Sequence, residues 1–362
     1  MSLERSPRGQ ILAYALAAFM VVDALVVSYA SNKGPFPALV PSPLEGGSPA
    51  AYVNLYIHVP IAIASYVLYA GGFVASLLYL IRGNKAFDRV AEGFIITATF
   101  YAAYTLITGI TWADESWGVP WNWDPRETGV LLLFLGYLVY FAIRSSVRDP
   151  DRRAVVSSVY AVAAFVLVPL SYLAPYIAGG SLHPTRALTG ALLEHTTTRV
   201  LFVSRIVTSI SLGLVASASF AQRRKAKLAL PRAFWAGLTA AVVIVTVSGA
   251  LLLAPYLGGN TARVRGGELN EEQGSLTLVL KRGEELLTAV YDLDRGAPIS
   301  PLKVNGSLTL IGHVVSYIGT SDGEIVYVEK LEVLKPPTVV VNVLLHAILI
   351  TGIALTLKRV GG

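Results

Sequence analysis

Cysteine is absent from the 362-residue chain. That excludes disulfides, thiolate metal sites and any thioether attachment of a cofactor to the chain itself. Charge is also scarce. Only 14% of residues are Asp, Glu, Lys or Arg, against roughly 25% in a soluble domain, and 54% are hydrophobic. Histidine occurs five times and methionine twice. The formal charge of +6 is compatible in principle with nucleic-acid binding. The basic residues, however, sit in short clusters between long apolar runs, and that distribution gives no reason to expect nucleic acid as a partner. The expected surroundings are a lipid bilayer.

A helix needs about 20 apolar residues to cross the hydrocarbon of a bilayer. Eight stretches meet that length, at 11–30, 53–81, 90–110, 129–147, 154–178, 198–221, 233–257 and 338–357. The first is long for the apolar core of a signal peptide, so it is expected to be retained. Loops on one side carry Arg5 and Arg8, Arg82, Lys85 and Arg89, Arg144 to Arg153, Arg223 to Arg232, and Lys358 with Arg359. The opposite short loops carry only Lys33, Arg126, Arg186 and Arg199. The positive-inside rule then predicts a multi-pass protein of the plasma membrane with both termini cytoplasmic.

The expected fold class is an all-α polytopic membrane protein of eight transmembrane helices, with a small external β-domain between the last two. Residues 1–258 form the helical membrane domain, 259–337 the β-domain, and 338–362 the eighth helix and its tail. Within the β-domain, Ser275–Leu280, Leu286–Asp292, Ser307–Tyr317 and Glu324–Leu334 have strand composition, and Asp322-Gly323 sits where a hairpin turn is expected. No repeat of fixed period is present.

Four of the five tryptophans fall within twelve residues, Trp112, Trp117, Trp121 and Trp123, on an external loop at 111–128. Two accounts stand side by side. One is an interfacial aromatic belt. The other is a platform for a flat ligand, since stacking on indole contributes beyond area burial. The following Asp124-Pro125-Arg126-Glu127 has the form of a helix start, with Asp124 as N-cap, Pro125 as first helical residue and Glu127 as the reciprocal capping carboxylate. Such a start offers backbone N–H groups, and Arg126 adds a full positive charge suited to a carboxylate.

The segment Trp117-Gly118-Val119-Pro120-Trp121-Asn122-Trp123-Asp124 resembles the tryptophan-rich signature of the haem-handling proteins of cytochrome c biogenesis. Leu55-Tyr56-Ile57-His58-Val59-Pro60 and Ser181-Leu182-His183-Pro184 are similar to the two histidine segments of cytochrome c maturation protein C. The resemblance covers roughly residues 50–220. It implies that His58 and His183 are axial ligands of a haem b, and that the tryptophans form its platform. It further implies a haem chaperone or apocytochrome c as acceptor on the external side, with membrane subunits as possible partners. Asp124 and Arg126 belong to the same implied site. Three departures stand out. Trp123 to Thr128 resembles the cytochrome c synthetase branch, Val53 stands where the family carries a basic residue, and two spans and the β-domain are additional. The expected role is a haem-positioning scaffold. A synthetase that joins haem to apocytochrome and a haem or solute transporter remain the alternatives.

The other histidines divide by position. His195 is expected to be a polar loop residue, and His313 a structural residue in a strand. His346 lies mid-span, with Asn342 one turn away. It is either a ligand to a second haem or a buried hydrogen-bond partner of a neighbouring helix. Asp23 and Arg205 each lie about 10 Å from the outer end of their span, at 1.5 Å per residue. Equal depth permits an ion pair between them; a propionate is the other possible partner for Arg205.

Overall fold

In the computed structural model the described residues are 7–32, 53–183, 196–221, 232–257, 260–270, 272–293, 303–304, 307–308, 310, 312–334 and 337–361. His195, most of the 31–52 loop and the basic cluster at 223–227 lie outside them.

The helices are α1 (Pro7–Asn32), α2 (Val53–Arg82), α3 (Lys85–Trp117), α4 (Pro125–Ser146), α5 (Pro150–Ala164), α6 (Leu167–Ala178), α7 (Thr196–Ala221), α8 (Arg232–Leu257) and α9 (Pro337–Gly361). Six segments are long and apolar enough to cross a membrane: Tyr56–Arg82, Lys85–Trp117, Pro125–Ser146, Pro150–Ala178, Arg199–Ala218 and Phe234–Leu257. The expectation of eight transmembrane helices is therefore corrected to six candidate spans among the described residues. Over their described residues the outermost two count only as shorter apolar helices, Ala17–Tyr29 and Val339–Gly352. The fourth span comprises two consecutive helices, α5 and α6, broken at Phe165-Val166.

The bundle packs α2 on α3, α1 on α8, α3 on α7 and α4 on α6. Its core is large and aromatic, with Tyr56, Tyr69, Tyr101, Tyr137, Tyr140 and Phe234 fully buried. Tyr69 stacks on Tyr137 with ring centroids 4.1 Å apart.

Polar groups inside the bundle pair with one another, as buried polar atoms must. The guanidinium of Arg205 is fully buried and bonds Asp23, which also accepts from Thr208. Asp23 meets His346 Nε2 at 2.7 Å. One carboxylate thus joins α1, α7 and α9. The equal depth of Asp23 and Arg205 foreshadows this pair, and the hydrogen-bond alternative for His346 is the one the structure contains. A second contact follows from Pro60 inside α2. Proline has no N–H, so the carbonyl four residues back loses its helical partner. That carbonyl belongs to Tyr56, and Arg205 Nε donates to it at 3.0 Å. Closer to the tryptophans, Asn342 Nδ2 donates to Asn54 Oδ1 at 2.7 Å, and Thr111 donates to Asn342 Oδ1 at 2.8 Å.

After α8 the chain enters strands β1 (Asn260–Asn270), β2 (Ser275–Arg282), β3 (Glu285–Asp292), β4 (Lys303–Val304), β5 (Ser307–Leu308), β6 (Val314–Asp322) and β7 (Ile325–Leu334). Five of them close a barrel in the order β1-β2-β3-β7-β6, and β4 pairs with β5 in a separate hairpin. All barrel neighbours are antiparallel except β3 and β7. A five-stranded closed barrel of this kind is the architecture of an OB-type fold. Val264, Leu276, Leu278, Leu280, Ala289 and Val315 fill it. Two strand boundaries differ from the sequence expectation: β1 is an additional strand, and the strand expected over Ser307–Tyr317 begins at Val314. Arg263 on β1 bonds Glu115 on α3 at 3.1 Å and ties the barrel to the tryptophan end of the bundle.

Removing one member of a buried ion pair leaves the other without compensation. Asp23→Ala is expected to destabilise the detergent-solubilised protein by about 3–5 kcal/mol, read as a lowered midpoint of thermal unfolding. An unchanged midpoint would show that the pair does not hold the bundle together.

Candidate functional site

A cavity of about 330 Å³ opens between α2, α3, α4 and α6 at the tryptophan end of the bundle. Helical periodicity builds its walls. From α2 come His58, Ala62 and Tyr66, each one turn beyond the last; from α3, Thr105, Gly109 and Trp112; from α6, Tyr172 and Tyr176. Arg126, Glu127 and Val130 close it from the first turns of α4, and Trp117, Trp121 and His183 complete the rim.

His58 is buried, and its Nδ1 lies 3.0 Å from Thr108 Oγ1. The hydroxyl of Thr108 donates to the Tyr104 carbonyl at 2.9 Å. Its one proton is engaged there, so the imidazole donates from Nδ1 and keeps the lone pair on Nε2. The ring packs beside Trp112, centroids 5.4 Å apart. Gly109 makes the room: a Cβ there would come within 3.0 Å of His58 Cε1.

His183 is held differently. Its Nδ1 lies 2.9 Å from Asp124 Oδ1. Asp124 is the N-cap of α4 and accepts the Arg126 N–H at 2.8 Å, the Leu182 N–H at 2.7 Å and the Ser181 hydroxyl at 2.8 Å. Burial alone raises the Asp124 carboxyl. The bonds from His183, Arg126 N–H and Ser181 outweigh it and hold the group well below the usual carboxylate range. An ionised carboxylate only accepts, so His183 donates from Nδ1, and in the neutral ring the lone pair is then on Nε2.

The tryptophans take separate places. α3 extends through Trp117, so Trp112 and Trp117 are helical; Gly118 ends the helix in the left-handed conformation, with φ 76°. Trp112 is buried in the cavity wall, and Trp117 meets His183 edge to face at 5.2 Å. Trp121 lines the rim. Trp123 is 71% exposed and is not among the lining residues; its left-handed φ of 60° turns the chain into Asp124. Arg126 lies over the Tyr172 ring, 5.2 Å from its centroid. The helix start differs in one detail from a capping box. Glu127 reaches the Asn122 N–H at 3.5 Å, and the Asp124 N–H bonds Asn122 Oδ1 at 3.0 Å.

Of the sequence-expected site residues, His58, His183, Trp112, Trp117, Trp121 and Arg126 line one cavity. Asp124 touches that cavity through His183, and Trp123 stands apart. Sequence reasoning missed Thr108, Gly109, Tyr66, Tyr172 and Tyr176. Tyr66 had a signal, the i, i+4, i+8 spacing from His58; Thr108 and Gly109 had none. Among the described residues no three His, Cys, Asp or Glu side chains converge as a metal-ion site. What the cavity offers is two imidazoles, flat aromatic walls and one guanidinium.

Fold and site together define a multi-pass helical membrane protein with an aromatic, two-histidine cavity at one end of its bundle. Residues 7–183 match the family model described as Cytochrome C assembly protein. The chain is similar to Heme exporter protein C of Rhodobacter capsulatus, 33% identical over 141 residues, which is 39% of this chain and 58% of that protein. It is equally similar to Heme exporter protein C of Paracoccus denitrificans, 33% identical over 137 residues, 38% of this chain and 57% of that protein. Cytochrome c biogenesis protein CcsA of Oenothera biennis is 28% identical over 120 residues, 33% of this chain and 37% of that protein. The chain thus spans little more than half the length of the first two relatives. The expected resemblance to the haem-handling proteins of cytochrome c biogenesis is borne out.

Asp124→Ala removes the cap of α4 and the acceptor for residues 181–183 together. Loss of an N-cap costs about 1 kcal/mol, and the freed donors add to it. Amide exchange of Leu182 and His183 is expected to quicken in Asp124→Ala and much less in Asp124→Asn, which retains a cap. Equal protection in both variants would contradict the role given to Asp124.

Proposed function

We propose that the cavity binds haem b and presents it to an acceptor protein during cytochrome c maturation. The observation that carries this is the meeting of His58 and His183, distant in the sequence, on one aromatic cavity. The donor set fits the group. Both imidazoles have Nδ1 engaged by a fixed acceptor, leaving Nε2 for a metal. Gly109 lets the His58 ring pack closely against α3, and Trp112, Trp117 and Trp121 give flat walls to a macrocycle. His58 and His183 would hold the iron of a haem bound there.

The remaining residues orient and shield. Arg126 lines the cavity and is the partner for a propionate. Its stacking on Tyr172 fixes the guanidinium before a ligand arrives. Val59, Ala62 and Ile63 give the cavity an apolar wall that disfavours water. In this account the chain holds and offers haem, and the acceptor is a haem chaperone or apocytochrome c.

The basic clusters at Arg82 to Arg89 and Arg144 to Arg153 mark the cytoplasmic end of the spans. α3 runs from Lys85 to Trp117, which puts the tryptophans at its other end. The cavity accordingly faces the extracytoplasmic side of the plasma membrane, where a soluble acceptor can reach it.

Absorption spectra of purified wild type, His58→Ala and His183→Ala test the assignment. The expected result is a shifted or lost Soret band and reduced haem content in each variant. Unchanged spectra and content in both would refute it. Gly109→Val, which crowds the His58 ring, is expected to reduce haem content as well, with His183 untouched.

A further inference from the structure

The two histidines are held by chemically unlike acceptors. His183 donates to Asp124, an ionised carboxylate bound by three further donors, Ser181, Leu182 N–H and Arg126 N–H. The guanidinium of Arg126 lies over Tyr172. His58 donates to the neutral hydroxyl of Thr108, whose oxygen lies 2.9 Å from the Tyr104 carbonyl, to which it donates, and 3.3 Å from that of Thr105. A carboxylate on Nδ1–H pushes electron density toward Nε2 and makes the ring a better donor to a metal. A neutral hydroxyl does so far less.

We propose that the two imidazoles are unequal ligands: Asp124 makes His183 the strong one, which keeps hold longest, and Thr108 leaves His58 the weak one, which lets go first. This rests on the haem assignment above. It gives a direction to hand-over, because His58 is buried within α2 whereas His183 follows the end of α6, on a half-buried segment beside the rim. The ligand that yields is the deep one, and the ligand that stays is the one at the edge of the bundle. Asp124 and Thr108 are positioning residues; neither is offered as an iron ligand.

The test uses the haem-loaded full chain and reads the midpoint potential, the haem affinity and the vibrational spectrum of the ferrous carbon monoxide adduct, in which one imidazole is displaced. Asp124→Asn keeps a capping side chain and loses the charge. It is expected to raise the potential, to weaken haem binding about 10–100-fold, and to move the iron–carbon stretch, because the retained ligand trans to carbon monoxide is His183. Thr108→Val is expected to shift the potential less, to change affinity by less than tenfold, and to leave that stretch in place. Ser181→Ala, which relieves the carboxylate of a competing donor, is expected to move the potential the opposite way from Asp124→Asn. It keeps the test open should Asp124→Asn fold poorly. Equal shifts in the Asp124 and Thr108 variants, a reversed ranking, or a stretch that responds to Thr108→Val would overturn the proposal. Soret bands insensitive to both His58→Ala and His183→Ala would instead overturn the haem assignment itself.

Discussion

The Asp124 carboxylate is the fastening on which the far wall of the cavity depends. It ties two segments together: it caps α4 and accepts from the chain that follows α6. Buried carboxylates are costly unless several donors meet them, and here three backbone or side-chain groups and one imidazole do so. The consequence is geometric. The tryptophan segment, the start of α4 and His183 are fixed relative to one another before any ligand arrives. Preorganisation of this kind reduces the ordering cost of binding.

The near wall is fastened by a different device. His58 sits on a helix that proline interrupts, and the carbonyl freed by Pro60 is taken up by Arg205. Arg205 in turn is neutralised by Asp23, which His346 shares from α9. Position of the deep histidine is thereby linked to the ionic centre of the bundle. The two walls meet at α3, whose Thr108, Gly109 and Trp112 contact His58 while Trp117 contacts His183. The barrel joins the same helix through Arg263 and Glu115, which lies between Trp112 and Trp117 in α3.

Much of this was legible in the amino-acid sequence. The tryptophan motif, the two histidine segments and the helix start at Asp124 all stand where the cavity is built. Composition also disclosed the barrel, although β1 escaped notice because Asn260–Asn270 carries arginines and glycines in place of an apolar alternation. Apolar length suggested eight spans; six candidates stand among the described residues, where α1 and α9 count only as shorter apolar helices over Ala17–Tyr29 and Val339–Gly352. Trp123 illustrates another limit. Its place in the motif is indistinguishable from that of Trp121, yet a left-handed backbone turns one outward and leaves the other on the rim. Thr108 and Gly109 act only through their distance to His58, and distance across a helix pair leaves no trace in a single sequence.

The whole account turns on two imidazoles closing on one metal inside this cavity. An experimental density map of the haem-loaded full chain tests that most directly. The account predicts a macrocycle beside Trp117 and Trp121, with continuous density from its iron to Nε2 of both His58 and His183. Haem seated elsewhere in the bundle, or iron joined to neither of these nitrogens, would contradict it.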